Sequence, residues 1–137
     1  MPQTHTIRTP TVRQYVAAFK ALDDRKAISP KQRAMLAHHH AASAHSVSAT
    51  LLARKAGYKN YRAANSQYGR LGCKIAAEIP VHLPAGYSGV GVIVDFVEPR
   101  YAGNEHWLWV LRPNVAKALE RLGWVEARTN LLYPPKS

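Results

Sequence analysis

A chain of 137 residues that is 47% hydrophobic is long enough to bury one core without disulfides or a structural metal. Its single cysteine, Cys73, excludes an internal disulfide framework and favours a reducing, cytoplasmic setting. No apolar run nears the roughly 20 residues that span a bilayer, and the amino terminus lacks a signal-peptide stretch. A net charge of +11 points to a polyanionic partner, because a compact fold repels itself at that charge.

The charge is unevenly placed. Residues 1–79 hold 13 Lys+Arg against 3 Asp+Glu, whereas residues 80–137 hold 6 against 5. From Arg25 to Lys74 there are ten basic residues and no acidic one.

After a polar arm, Thr11 can cap a helix in which Val12, Tyr15, Val16, Phe19 and Leu22 fall on one face. Ser29-Pro30 announces a second helix running through Met35 and Leu36 toward His40. The small, polar run from Ala41 to Ser46 reads as a short connection. Ser46 then caps a third helix of about two turns, ended by Gly57. Asn60 caps a fourth, with Tyr61, Ala64, Tyr68, Leu71 and Ile75 on its buried side. Two helices joined by a short glycine-containing turn form a helix-turn-helix pattern over residues 46–79.

From Pro80 the character changes. A strand is expected within Val90 to Val97 and a second within His106 to Leu111, the latter buried on both faces or nearly so. The span between them is too short for a parallel crossover, so the pair should be an antiparallel hairpin. Pro113 starts a helix with Val115, Ala118, Leu119 and Leu122 inward, and Gly123 ends it. A short strand near Trp124 or across Leu131 to Tyr133 would close the sheet. The expected fold is one α+β domain spanning residues 1–137. It has a basic helical part at 1–79 and a hairpin-plus-helix part at 80–137.

In a helix-turn-helix the second helix enters the major groove, so its outer face must offer donors to bases and phosphates. The buried stripe turns Arg62, Ser66, Gly69 and Cys73 outward, flanked by Asn65 and Arg70. Arginine can grip guanine and asparagine adenine, which makes Arg62, Asn65, Ser66 and Arg70 the base-facing set. Arg54, Lys55, Lys59 and Lys74 are the phosphate-facing set. Gly69 and Gly72 each cost a helix about 1 kcal/mol, so close packing or a backbone approach should compensate.

The runs from Ile28 to Leu36, Ser46 to Ala49 and Ala56 to Gly72 resemble a bacterial module, and the stretch from Trp109 to Trp124 resembles its usual ending. That module is found in the amino-terminal region of HNH-type restriction endonucleases and in free-standing proteins. The resemblance implies target recognition or DNA sensing in a restriction context. It carries no nuclease activity over, because no His/Asn/His constellation follows Trp124.

Other chemistry finds little footing. His38, His39 and His40 point 100° apart on a helix and cannot converge on one ion; His45 adds no carboxylate partner at a recognised spacing. Such histidines are more often exposed, and neither metal nor cofactor is expected. Asp95, Glu98 and Glu105 read as surface charges, without a nucleophile or phosphate loop to serve. Tyr87, Tyr101, Trp107 and Trp109 form either the sheet core or an aromatic surface for an unstacked base. The expectation is therefore a non-enzymatic protein that binds nucleic acid, duplex DNA first, as a monomer or as a homodimer on paired half-sites. The alternatives are RNA binding and a protein-interaction module, an inhibitor or adaptor that docks through its basic face.

Overall fold

Four of the five helices begin at a side chain able to close the first turn, as the sequence requires of segments too short to be stable alone. The computed structural model describes residues 7–98 and 107–127. In α1 (Val12–Asp24) the Gln14 amide donates to Thr11 Oγ1 at 3.1 Å, and the Thr11 amide donates back to Gln14 Oε1 at 2.9 Å. The same reciprocal box, Ser29 with Gln32, opens α2 (Pro30–Ala41). Thr11→Ala is expected to cost about 1 kcal/mol of folding stability, read as a lower urea midpoint at unchanged slope.

The connection after α2 differs from the expectation. A 3-10 turn at Ser43–His45 places Ala44 and His45 at φ 53° and 55°, and the chain then enters a strand, β1 (Ser46–Ser48). The helix-capping serine is Ser48, whose Oγ accepts from the Leu51 amide at 3.2 Å, so α3 spans only Ala49–Lys55. Ser46 is not a cap because its neighbour Val47 is drawn into a sheet whose partner strand lies far along the chain. Gly57 turns the chain at φ 88° as expected, and Asn60 Oδ1 caps α4 (Tyr61–Glu78) by accepting from the Arg62 amide at 3.0 Å.

Val90 to Val97 also divides in two. Gly89–Val92 is a 3-10 segment packed across α4, and only Val94–Val97 is strand, β2. It pairs antiparallel with β3 (Leu108–Leu111), and β1 pairs antiparallel with the other edge of β3, giving the order β1-β3-β2. The third strand is therefore β1. Trp124 instead packs edge-on against Phe19 at 5.6 Å, and Leu131 to Tyr133 lie outside the described residues. Burial on β3 alternates, Trp109 and Leu111 being buried and Leu108 and Val110 half-buried, because only one face is covered by helices. Helix α5 (Pro113–Arg121) packs on α1, and Gly123 follows it at φ 73°.

One cluster of buried residues draws on every helix and strand, with Phe19, Leu22, Leu52, Leu71, Ile75, Leu111 and Leu119 fully enclosed. Two histidines, His39 and His40, are buried beside it, contrary to the expectation of exposure. His39 hydrogen-bonds through Nε2 to the Trp109 carbonyl at 2.7 Å and through Nδ1 to Tyr68 Oη at 3.1 Å, joining α2 to β3 and α4. Tyr15 donates to the Val92 carbonyl at 2.6 Å, fastening the 3-10 segment to α1; burial pushes both tyrosine hydroxyls above their ordinary range. Among the described residues no helix is long and apolar enough to cross a membrane.

Candidate nucleic-acid interface

Several basic residues of the front part are engaged by partners, whereas others, among them Arg8, Arg13, Lys20 and Lys26 in and around α1, have no carboxylate within ion-pair distance among the described residues. Arg25 pairs with Glu78 at 2.6 Å, Arg33 reaches Asp23 and lies 3.8 Å over the Trp124 ring, and Lys31 covers Tyr58. Lys74 is exposed, but its Nζ donates to the Ala27 carbonyl at 2.9 Å, which ties it to the segment before α2. Arg54, Lys55, Lys59, Arg62 and Arg70 are exposed and, among the described residues, have no carboxylate within ion-pair distance. All five belong to α3, α4 or the turn between them. Charges of this kind remain solvated and available to an incoming anion.

Helix α4 is clamped along its second half and open along its first. The 3-10 segment lies against Gly69 and Gly72, so Gly69 is partly covered rather than turned to solvent. Arg62, Asn65 and Ser66, in the first two turns, are exposed, as are Arg70 and Cys73 farther along. Arg62 and Arg70 are about 12 Å apart along the axis at 1.5 Å per residue. Tyr61, expected inward, is 51% exposed, because the first turn of α4 projects past the core.

That projection opens a groove of about 390 Å³ lined by Ala49 and Thr50 of α3, Tyr61 and Asn65 of α4, and Phe96, Trp107 and Trp109 of the hairpin. Its hairpin wall follows from register. Phe96 stands opposite Trp109, and Val94 opposite Leu111, so these four share one face of the sheet. Toward Val94 and Leu111 that face is sealed by helices; toward Phe96 (43% exposed) and Trp107 (49% exposed) it is uncovered. Trp109 stacks on the core ring of Tyr68 at 5.8 Å and meets Phe96 edge-on at 6.0 Å, linking core to groove. Asn65 and Thr50 make no side-chain hydrogen bond among the described residues.

Of the expected base-facing residues, Arg62, Ser66 and Arg70 remain on the open surface of α4, while Asn65 lines the groove beside them. Thr50, Tyr61 and Phe96 were not singled out by sequence. Tyr87 lies elsewhere, beneath the Arg112 guanidinium at 3.6 Å, and Tyr101 and Glu105 lie outside the described residues.

The histidines give a second cluster. His40 Nε2 meets Glu120 Oε2 at 2.7 Å, and ligand-type atoms of His40, His45 and Glu120 lie within 4.8 Å of one another. The carboxylate that local spacing lacked is supplied by α5. At 2.7 Å the His40–Glu120 pair is a direct hydrogen bond; two ligands on a tetrahedral zinc, with bonds of about 2.0–2.1 Å, stand roughly 3.3 Å apart. No family model, curated protein or solved structure matches the chain.

Proposed function

We propose that this protein binds duplex DNA without catalysing a reaction, presenting the first turns of α4 to base edges and the α3–α4 turn to phosphates. The observation that carries the proposal is the set of five exposed cations, Arg54, Lys55, Lys59, Arg62 and Arg70, without a carboxylate partner among the described residues, on two consecutive helices and the turn between them. The order of elements supports it: α2, β1, α3, α4, β2 and β3, with β1 against β3, is the succession of a winged helix-turn-helix, in which α4 occupies the place of the recognition helix. That is an argument from fold, and the residues must supply the rest. Arg62 and Arg70 offer guanidinium forks to guanine and Ser66 a hydroxyl to either base type, while Arg54, Lys55 and Lys59 set register on the backbone. Target recognition in a restriction or mobile-element setting, implied by the sequence resemblance, belongs to the same proposal.

Fluorescence anisotropy with labelled duplexes tests it. If Arg54, Lys55 and Lys59 each reach a phosphate, affinity should fall about fortyfold between roughly 50 and 200 mM salt. Lys55→Ala should weaken all sequences alike and reduce the salt slope by about one, whereas Arg62→Ala should change sequence preference by about 1–3 kcal/mol at one position. Salt-insensitive binding, or indifference to both substitutions, contradicts the proposal; preference for RNA in direct competition replaces the partner.

A further inference from the structure

We propose that the groove between α3, α4 and the hairpin receives one nucleobase unstacked from DNA. The proposal rests on the DNA-binding reading and adds a site to it. Scattered apolar residues on a surface need no explanation, but here Tyr61, Phe96 and Trp107, from three separate elements, are each 43–51% exposed and converge on one hollow. Their rings, with Trp109 behind, offer flat apolar faces, which suit a planar ligand better than an aliphatic one.

The polar groups narrow the ligand further. Asn65 brings a carboxamide, a donor and an acceptor side by side, into an otherwise aromatic wall, and Thr50 brings a hydroxyl. Among the described residues neither side chain has a hydrogen-bond partner, so both are available to the edge of a heterocycle. Among the described residues no acidic one lines the groove. Lys59 and Arg62 flank Tyr61 along the chain, and Arg54 stands one helical turn beyond Thr50 on the same face. A base attached to a phosphodiester satisfies aromatic walls, an amide and a cationic rim together; an apolar peptide leaves the cations unused. The volume of about 390 Å³ is near the lower end of small-molecule clefts, roughly 300–1,000 Å³, which suits one base and part of its sugar.

Position makes this compatible with duplex binding. Tyr61 and Asn65 are one turn apart on the helix that carries Arg62 and Ser66 on the adjoining face. Contacts to the strand through Arg62 and Lys59 therefore bring its neighbouring nucleotide toward the groove, and the rings replace the stacking that the base gives up.

The test compares a fully paired duplex with the same duplex carrying one unpaired adenine, for which the cost of unstacking is already largely met. The intact protein should bind the second about tenfold more tightly, with quenching of tryptophan emission. Trp107→Ala and Phe96→Ala should bring the two affinities to parity, Trp107→Tyr should keep most of the preference, and Lys55→Ala should weaken both duplexes by the same factor. All of these replace exposed side chains. Equal affinity for the two duplexes, or a preference unaffected by both Trp107→Ala and Phe96→Ala, overturns the groove site and leaves duplex binding standing. Binding of the unpaired-base duplex alone supports the groove and overturns the general duplex reading. Binding of neither overturns both.

Discussion

Replacing Gly72 with alanine is expected to destabilise the protein by at least about 3 kcal/mol, whereas Gly69→Ala, one turn earlier on the same helix, should stabilise it by about 0.5–1 kcal/mol. A Cβ on Gly72 would lie 1.8 Å from the Gly89 carbonyl oxygen and 2.7 Å from its carbon, both backbone atoms that no rotamer can move. Nor can the 3-10 segment easily retreat. It is held by the Tyr15 hydroxyl on the Val92 carbonyl, by Arg112 Nε on the Gly91 carbonyl at 2.8 Å, and by Gly91 itself, where a Cβ would meet the Gly86 oxygen at 1.9 Å. At Gly69 the added methyl would sit 3.9 Å from Val90 Cγ2, an ordinary contact, so what remains is the gain in helix propensity. Against a total stability of about 5–15 kcal/mol, the first substitution removes a large share. Urea unfolding of the two variants measures both at once, and a Gly72→Ala midpoint equal to that of the parent would show that the 3-10 segment can slide away from α4. The functional consequence is positional: this clamp holds the second half of α4 and leaves its first turns projecting, where Arg62 and the groove are.

What the sequence showed and what it hid divide along the range of the interactions involved. Helices α1, α2, α4 and α5 were legible because their signals are local: Thr11, Ser29 and Asn60 close first turns, Pro113 starts α5, and the apolar spacing of each helix repeats within a few residues. Strand β1 was not, since Ser46-Val47-Ser48 is too short to show a period and owes its state to β3, some 60 residues away. The β-branched Val90 and Val92 read as strand, but the close approach of Gly89 to Gly72 and of Gly91 to Gly86 decides their geometry. The site follows the same division. Solvated cations on α3 and α4 could be named from charge and helical spacing alone. Tyr61 read by helical spacing as core and Trp107 as either core or aromatic surface, and only the place where the helices stop covering the sheet turns them, with Phe96, into a groove wall. Burial of His39 and His40 was hidden because their partners, the Trp109 carbonyl, Tyr68 and Glu120, come from elements distant in sequence.

Stability should fall by about 3 kcal/mol as pH drops from neutrality to below 4, with His39 the group responsible. Its ring is fully enclosed, and burial, the largest influence on it, lowers its pKa from 6.5 to about 4. The hydrogen bonds define the neutral form. A carbonyl can only accept, so Nε2 carries the proton toward Trp109, and Nδ1 accepts from the Tyr68 hydroxyl. Because the folded pKa lies below the unfolded one, the unfolded chain takes up the proton first as acid is added. The stabilisation is therefore complete above about pH 6.5 and is lost progressively as pH falls through 4. Each unit of difference is worth about 1.36 kcal/mol, which sets the size of the loss. His39→Gln separates this group from the carboxylates that titrate in the same range. Its amide nitrogen can donate to the Trp109 carbonyl and its oxygen can accept from Tyr68, yet it carries no proton equilibrium. Urea midpoints of the parent between pH 6.5 and 4.5 should drop steeply, and those of His39→Gln should change far less. Parallel slopes in the two proteins would mean that another group drives the acid transition. Since His39 ties α2 to both α4 and β3, its protonation should also loosen the junction behind Trp109, so DNA carrying an unpaired base should lose affinity over the same pH interval in the parent and not in the glutamine variant.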